Sequence, residues 1–439
     1  MSEYFLFSLF SVIAALMSYI NTKFLKLPKA IGLTILSITF SAFCTAFLSP
    51  SNFLVVALSS FDFKKTVLDW MLSFLLFANA LHFNLIELKK EIKAIFGLAS
   101  IGLVLSAVTT AILIYAFCLL VGFKISFGYC LVFGALISPT DPIAVISTLA
   151  GNKSIPKYIK TRVVGESLFN DATGIVLFVI FSNIFFFENG GSIAQIMNTN
   201  GLSYIWIISS QIIIEAGGGI VLGYIFAKIA LIFLKTNKDY ETSIFVTVAL
   251  ASMGYIIAYE LEVSGPITMV VAGLFIGNSL LDTKKNAPEQ VEGIDRFWMV
   301  IDNMLNSFLF ILIGLELTNI NFNHYAFLVG VAGIFIVTFA RLISISIPIT
   351  VIDKKLTKSS AKDNILVAWS GVRGGISLAL ALSLPSEGDV IVTITYTVVI
   401  LSILVQGSTL KIVLNMIYPY DKKPKKAANA VYFIRKKNS

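Results

Sequence analysis

The sequence predicts an all-α protein that crosses a membrane about thirteen times, and three observations support this. Of the 439 residues, 57% are hydrophobic and 13% are charged, whereas a soluble protein carries roughly a quarter charged residues. Apolar runs of about 20 residues, the length that a helix needs to cross the hydrocarbon core, recur along the whole chain. The sequence lacks the alternating segments of about ten residues that are typical of a membrane β-barrel.

The apolar runs place the spans in order along the chain. We predict them at residues 4–22, 30–49, 67–86, 94–121, 126–150, 163–187, 202–234, 241–260, 265–281, 298–318, 325–351, 364–384 and 390–418. The N-terminus lacks the basic start and the cleavage site of a signal peptide, so span 1 is expected to be retained. One membrane domain is therefore expected over residues 1–421, followed by a short basic tail over residues 422–439.

Lysine and arginine residues support this layout because they accumulate in cytoplasmic loops. Most of them lie in every second loop, beginning with loop 1–2, and in the C-terminal tail, whereas loops 6–7, 8–9, 10–11 and 12–13 hold none. The alternation predicts an odd number of spans in the inner membrane, with the N-terminus outside and the C-terminus in the cytoplasm. It also accounts for the net charge of +8 without a nucleic-acid partner.

Span 5 is interrupted near its middle by two prolines, in Ser138-Pro139-Thr140-Asp141-Pro142. Each proline removes a backbone donor and crowds the preceding turn, so the helix is expected to break and to free backbone carbonyls. Irregular backbone at this depth is tolerated only inside protein or beside water. A simple proline kink is the alternative. Such kinks are common, but a kink that also buries an aspartate such as Asp141 is not.

Span 6 carries several polar side chains deep in the membrane. Ser167 and Asp171 are four residues apart and share one helix face, as do Glu166 and Asn170. Oxygen ligands of this kind suit a small, hard cation. An ionised Asp171 is costly in the bilayer, so it is expected to hold either a cation or a proton. The alternative is a satisfied polar network between helices.

Two arginines lie inside spans 11 and 12. Arg341 is too far from either end of span 11 to reach the surface, and the unmatched acid Glu166 is its expected partner. Arg373 stands among glycines in Gly371-Val372-Arg373-Gly374-Gly375, which predicts a second broken helix because glycine permits unusual backbone angles. A phosphate-binding loop is the competing reading, but the lysine-plus-hydroxyl ending is missing.

The two predicted breaks occupy equivalent positions if spans 1–6 and 8–13 are two six-helix repeats. Because spans 5 and 12 are seven spans apart, the repeats would be inverted. Interrupted helices at corresponding positions of two inverted halves point to the binding site of a transporter. The prediction depends on layout, since no sequence identity between the halves is visible.

These segments, Ser138–Val145, Gly165–Gly174 and Gly371–Gly375, resemble those of monovalent cation:proton antiporters, the family of NhaP-type antiporters and animal sodium/proton exchangers. The resemblance covers nearly the whole chain. It implies thirteen helices in two inverted repeats, with spans 5 and 12 crossing as broken helices in a mobile bundle. It also implies a homodimer formed through the other bundle.

The resemblance implies roles for the span 6 residues in exchange of Na⁺ or Li⁺ for H⁺. Asp171 would bind the cation or the proton, with Ser167 and Thr140 as further Na⁺ ligands. Asn170 stands where electrogenic relatives carry a second aspartate, which implies electroneutral exchange. No enzymatic activity and no cofactor are implied.

The remaining charged residues would have structural roles. Glu166 and Arg341 would form an ion pair, and Asp141 and Arg373 would balance the charges at the helix ends of the crossing.

One position departs from the family pattern. Many relatives carry an acid in span 3 where this chain has Ala78, which leaves one ligand fewer and puts the affinity and the choice of cation in question. Asn79 could compensate. His82 is near the end of the span and is interpreted as a boundary residue rather than a pH sensor.

Three alternatives stay open. The ligand types do not separate K⁺ from Na⁺, so a K⁺/H⁺ antiporter is possible, and a cation channel is a weaker alternative. A membrane hydrolase is the weakest, because Ser167 lacks a deep histidine or lysine base and both His82 and His324 lie near span ends.

Overall fold

The computed structural model describes residues 3–49, 51–60, 62–141, 145, 149, 154–185, 201–283, 286–320, 323–352, 360–385 and 388–419. Within these ranges the regular structure is helical and contains no strand. The helices are α1 (Glu3–Ile20), α2 (Lys29–Phe47), α3 (Phe53–Ser59), α4 (Leu72–Leu81), α5 (Leu85–Val121), α6 (Phe127–Ile137), α7 (Lys157–Phe185), α8 (Gly201–Thr236), α9 (Tyr240–Glu260), α10 (Gly265–Thr283), α11 (Pro288–Leu315), α12 (His324–Ile352), α13 (Ala361–Trp369), α14 (Gly375–Ala381) and α15 (Asp389–Ile417).

The predicted order of spans is confirmed. Nine of the described helices are long and apolar enough to cross a membrane, namely α1, α2, α5, α7, α8, α9, α11, α12 and α15. The other four spans are shorter or interrupted: span 3 ends in α4, span 5 begins with α6, span 9 is α10, and span 12 is the pair α13 and α14. The expected basic tail over residues 422–439 lies outside the described residues.

Two predicted helix starts are too late by about two and a half to three turns each. The helix α5 begins at Leu85 rather than at residue 94, and α11 begins at Pro288 rather than at residue 298. The first turns of α5 are amphipathic, with Leu88 buried and the neighbouring lysines exposed. The Asn84 side chain accepts a hydrogen bond from the backbone N–H of Ile86 and caps this helix. Hydropathy alone misses such turns because their polar face lowers the average.

The helix contacts are related by an exchange of spans 1–6 with spans 8–13. Span 2 packs against span 10 as α2 on α11, and span 9 packs against span 3 as α10 on α4. Exchanging the two halves converts the first pair into the second. Span 4 likewise packs against spans 5 and 6, and its counterpart, span 11, packs against spans 12 and 13.

Both predicted breaks are present, and they cross. The helix α6 ends at Ile137 and the chain is not helical over residues 138–141, while α13 ends at Trp369 and α14 begins at Gly375. The backbone N–H of Asp141 donates to the carbonyl of Val372 at 2.8 Å. This bond joins one interrupted helix to the other and positions the site described next.

Candidate functional site

Arg373 supplies positive charge at the crossing of the two breaks. Its side chain is 1% exposed, and its Nη1 donates to the backbone carbonyls of Ser138 and Pro139, the latter at 3.0 Å. A broken helix leaves carbonyls without their usual backbone donors. The guanidinium replaces those donors and holds the end of α6 against span 12.

Asp141 lies at the start of the second half of span 12. A Cβ atom built on Gly374 would stand 2.9 Å from Asp141 Oδ2, so only glycine allows this approach. Gly374 is the N-cap of α14, and the positive end of a helix macrodipole favours a carboxylate there. The structure therefore places each of Asp141 and Arg373 beside the interrupted end of the other's span.

A buried hydrogen-bonded group links the break in span 5 to span 6. Thr140 Oγ1 lies 3.1 Å from Ser167 Oγ, and Asn170 Nδ2 donates to Thr140 Oγ1 at 3.0 Å. The backbone N–H of Thr140 donates to Asn170 Oδ1 at 3.4 Å. These three side chains are each about 1% exposed. The structure thus brings together three of the four residues that the sequence analysis expected at the ion site.

Asp171, the fourth expected residue, is one turn of α7 beyond Ser167 and faces a small cavity. It is half-buried, and within the described part of the chain its carboxylate accepts no hydrogen bond. The cavity has a volume of about 30 Å³, enough for one or two water-sized particles. Its polar lining comes from five spans, four of them helical at this point and the fifth the break in span 5, and consists of Asn79, Asp141, Asp171, Asn306 and Ser377.

Glu166 is turned away from this cavity towards Arg341. Arg341 Nη1 lies 3.0 Å from Glu166 Oε1, and Nη2 donates to Oε2 at 3.2 Å, with both side chains 4% exposed. A Cβ atom on Gly371 would stand 2.1 Å from Arg341 Nε. The ion pair therefore joins α7 to α12 and lies directly against the break in span 12. Glu166 and Asn170, expected to share a face, thus have different partners.

The three residues of span 3 named in the sequence analysis lie in different environments. Ala78 is fully buried, whereas Asn79 lines the cavity. His82 is exposed at the end of α4, with Nδ1 2.8 Å from the carbonyl of Ala78. His82 thus lies at the boundary of the span.

Sequence reasoning missed Asn306 and its neighbour Asp302 on α11. Asn306 Nδ2 donates to the carboxylate of Asp302 at 2.8 Å. An acid and an amide four residues apart inside span 10 were a visible signal. Asp302 lies four residues after the predicted start of this span at residue 298, where an acid is commonly a residue of the membrane boundary.

A second polar chain was also missed. The backbone N–H of Arg373 donates to Ser402 Oγ at 2.9 Å, Ser402 Oγ donates to Gln406 Oε1, and Gln406 Nε2 donates to Thr338 Oγ1 at 2.9 Å. Ser402 is the first residue and Gln406 the last residue of a π-helical turn inside α15. This chain ties the break in span 12 to spans 13 and 11.

Comparison with known proteins shows extensive similarity. The family model described as sodium/hydrogen exchanger, transmembrane, matches residues 11–416. The Na(+)/H(+) antiporter NhaP of Pseudomonas aeruginosa is 35% identical over 425 residues, which cover 93% of this chain and 96% of that protein. The Na(+)/H(+) antiporter NhaH of Halobacillus aidingensis is 31% identical over 397 residues, which cover 89% of this chain and 92% of that protein.

A solved structure shows the same fold. The sodium proton antiporter MjNhaP1 from Methanocaldococcus jannaschii, determined at pH 8, superposes with a TM-score of 0.72 at 19% sequence identity. The match covers 95% of this chain and all of that chain.

Proposed function

This chain belongs to the sodium/hydrogen exchanger family, and from that premise we propose that it is a secondary antiporter that exchanges Na⁺ or Li⁺ for H⁺. The single observation that carries the proposal is the position of Asp171. It is a carboxylate in the middle of a membrane-spanning helix, and it faces a cavity at the crossing of two interrupted helices. Residues of this kind in transporters lie on ion pathways.

Exchange follows from competition for one carboxylate. An ionised and empty Asp171 is costly in a low-dielectric site, so it is stable only with a cation or a proton bound. The site with a cation or a proton bound to Asp171 can then move so that it opens to the other side of the membrane. The empty site, with an ionised Asp171, cannot. Ser167 and Thr140 are the proposed further Na⁺ ligands, since their hydroxyl oxygens lie 3.1 Å apart and Ser167 precedes Asp171 by one turn of α7.

The charge balance supports electroneutral exchange. Asn170 is a neutral amide whose two polar atoms are both hydrogen-bonded to Thr140, so it adds no second titrating group. Asp141 is proposed to stay ionised beside the start of α14, opposite Arg373. One carboxylate then exchanges one Na⁺ for one proton.

The crossing is proposed to move as one body. The hydrogen bond between Asp141 and Val372 and the bonds of Arg373 to the span 5 carbonyls join both breaks. A homodimer formed through the other bundle would provide the fixed frame. We place the multi-pass protein in the inner membrane, with the N-terminus outside and the C-terminus in the cytoplasm.

Purified protein in liposomes tests this function. A pH gradient is imposed and followed with a pH-sensitive dye, and Na⁺, Li⁺ or K⁺ is added with and without a voltage clamp by potassium and valinomycin. We expect Na⁺ or Li⁺ to collapse the gradient equally in both conditions.

The other outcomes each have a clear meaning. A response to K⁺ alone would change the substrate to K⁺, which mixed carboxylate, hydroxyl and amide ligands can also bind. Cation flux without proton movement would indicate a channel and would contradict the proposal.

A further inference from the structure

Asn306 is a buried amide held in one orientation. Its side chain on α11 is 4% exposed and lines the cavity that Asp171 faces. Its Nδ2 donates twice to Asp302, to the backbone carbonyl and to Oδ1, each at 2.8 Å. Turning the amide over would set its oxygen against those two acceptors, so the donor pattern defines which atom points to Asp302.

Among the residues that the structure describes, the amide oxygen of Asn306 has no hydrogen-bond partner. This atom, Oδ1, is buried. An unsatisfied buried acceptor costs free energy and is rare in native proteins. Such an atom, in a residue that lines a polar cavity, is explained if a ligand satisfies it, and a carbonyl oxygen attracts a cation.

We propose that Asn306 Oδ1 is a further ligand of the transported cation and that Asp302 is a positioning residue that holds the amide by its nitrogen. The inference rests on the proposed antiport function and deepens it. It also bears on Ala78, because it adds an oxygen ligand from span 10 to a site to which Ala78 contributes none.

The chemistry of an amide makes this role separable from that of Asp171. A carbonyl oxygen coordinates Na⁺ but takes up no proton near neutral pH, whereas a carboxylate binds both. Losing Asn306 should therefore weaken cation binding and leave proton binding unchanged. A residue that only stabilises the fold would not separate the two.

The test uses Asn306→Leu in the full chain, reconstituted in liposomes. Apparent KM values for Na⁺ measured over a range of pH are fitted to competition at one site, which yields separate dissociation constants for Na⁺ and H⁺. We expect the Na⁺ constant to rise about tenfold, the scale of one lost oxygen ligand, and the H⁺ constant to stay unchanged. Asn303→Leu is the matched control, since Asn303 is exposed on the same helix and donates to the carbonyl of Met299.

Asp302 provides an independent arm. Asp302→Leu removes one of the two acceptors that hold the amide and should raise the Na⁺ constant by a smaller factor, about threefold. Asp302→Asn keeps an acceptor oxygen and should restore the original value. Asn306→Ala, which also lacks a side-chain oxygen, replaces Asn306→Leu if the latter does not fold, as judged by gel filtration and thermal melting in detergent.

The outcomes separate this inference from the function on which it rests. A folded Asn306 variant with an unchanged Na⁺ constant, or with Na⁺ and H⁺ constants shifted together, would overturn the role of Asn306 while exchange by the parent protein stands. Parent protein without cation-driven proton movement would overturn the proposed function and this inference with it.

Discussion

At the scale of single residues, the polar side chains of span 6 differ in how their charge is compensated. Asp171 faces the cavity without a hydrogen-bond partner among the described residues. Glu166, five residues earlier, is neutralised by Arg341 at 3.0 Å, and Asn170 is an amide bonded to Thr140. Of the two acids of span 6, Asp171 is therefore the one without an ion-pair or hydrogen-bond partner among the described residues, which supports its proposed role as the exchanging carboxylate.

Asp171→Asn is predicted to abolish exchange while the protein still inserts and dimerises, because an amide is isosteric but cannot titrate. Dye-reported proton flux in liposomes, with gel filtration as the check on assembly, measures this. Asp389→Asn is the matched control, since Asp389 is exposed at the start of α15. Retained Na⁺-driven proton flux in the Asp171 variant would refute the mechanism of competition.

Asn170→Asp is predicted to make exchange sensitive to voltage. A second carboxylate next to Asp171 adds a charge that must be neutralised in each transport step, so more than one proton would exchange for each cation. The measurement is the Na⁺-driven rate with and without the valinomycin clamp. Equal rates in both conditions would mean that Asn170 does not determine the stoichiometry; Asn303→Asp controls for a new acid elsewhere in the protein.

At the scale of helices, buried charge fixes how the elements meet. The Glu166–Arg341 pair joins α7 to α12, and the absence of a side chain on Gly371 lets Arg341 lie against the break in span 12. Removing one partner of a buried ion pair leaves an uncompensated charge, which costs more than the pair contributes. The pair thus constrains the position of span 6 relative to the crossing.

Arg341→Met is predicted to destabilise the protein by about 3–5 kcal/mol, seen as a lower melting temperature in detergent. Arg296→Met is the control, because Arg296 and Glu292 form an exposed pair at 3.4 Å, worth about 0–1 kcal/mol. The double variant Glu166→Gln, Arg341→Met should recover part of the loss. If Arg341→Met and Arg296→Met had equal melting temperatures, the buried pair would not hold α7 and α12 together.

At the scale of the whole molecule, two related halves place the breaks at one depth. The pairs α2 with α11 and α4 with α10 are converted into one another when the two halves are exchanged, and the bond from Asp141 N–H to the Val372 carbonyl joins the broken helix of one half to that of the other. The cavity that Asp171 faces therefore lies between the halves, the arrangement that the proposed exchange mechanism requires.

The orientation of the whole chain predicts which surfaces a membrane-impermeant thiol reagent reaches. Lys64→Cys, in loop 2–3, should be labelled in intact cells, and Lys238→Cys, in loop 7–8, only after permeabilisation. Both lysines are exposed, and the three native cysteines are buried and provide little background. The reverse labelling pattern would invert the proposed topology.

The candidate site was predictable to the extent that its residues carry a local signal. The prolines around Thr140 and the glycines around Arg373 predict breaks wherever they stand in an apolar run. Asn79 was named only as a substitute for Ala78, and Asn306 was not named at all. Neither carries a charge, and an uncharged amide within a helix does not by itself indicate a pathway.

The sequence by itself determined the all-α membrane class, the order of the spans and the location of both breaks, because run length, proline and glycine act over one or two helical turns. Only the tertiary structure decided that Asn306 and Asp171 share a cavity and that Arg341 lies against Gly371. The physical reason is that such contacts depend on the rotation of each helix about its axis. Spans that are apolar on most faces leave that rotation open until the helices pack.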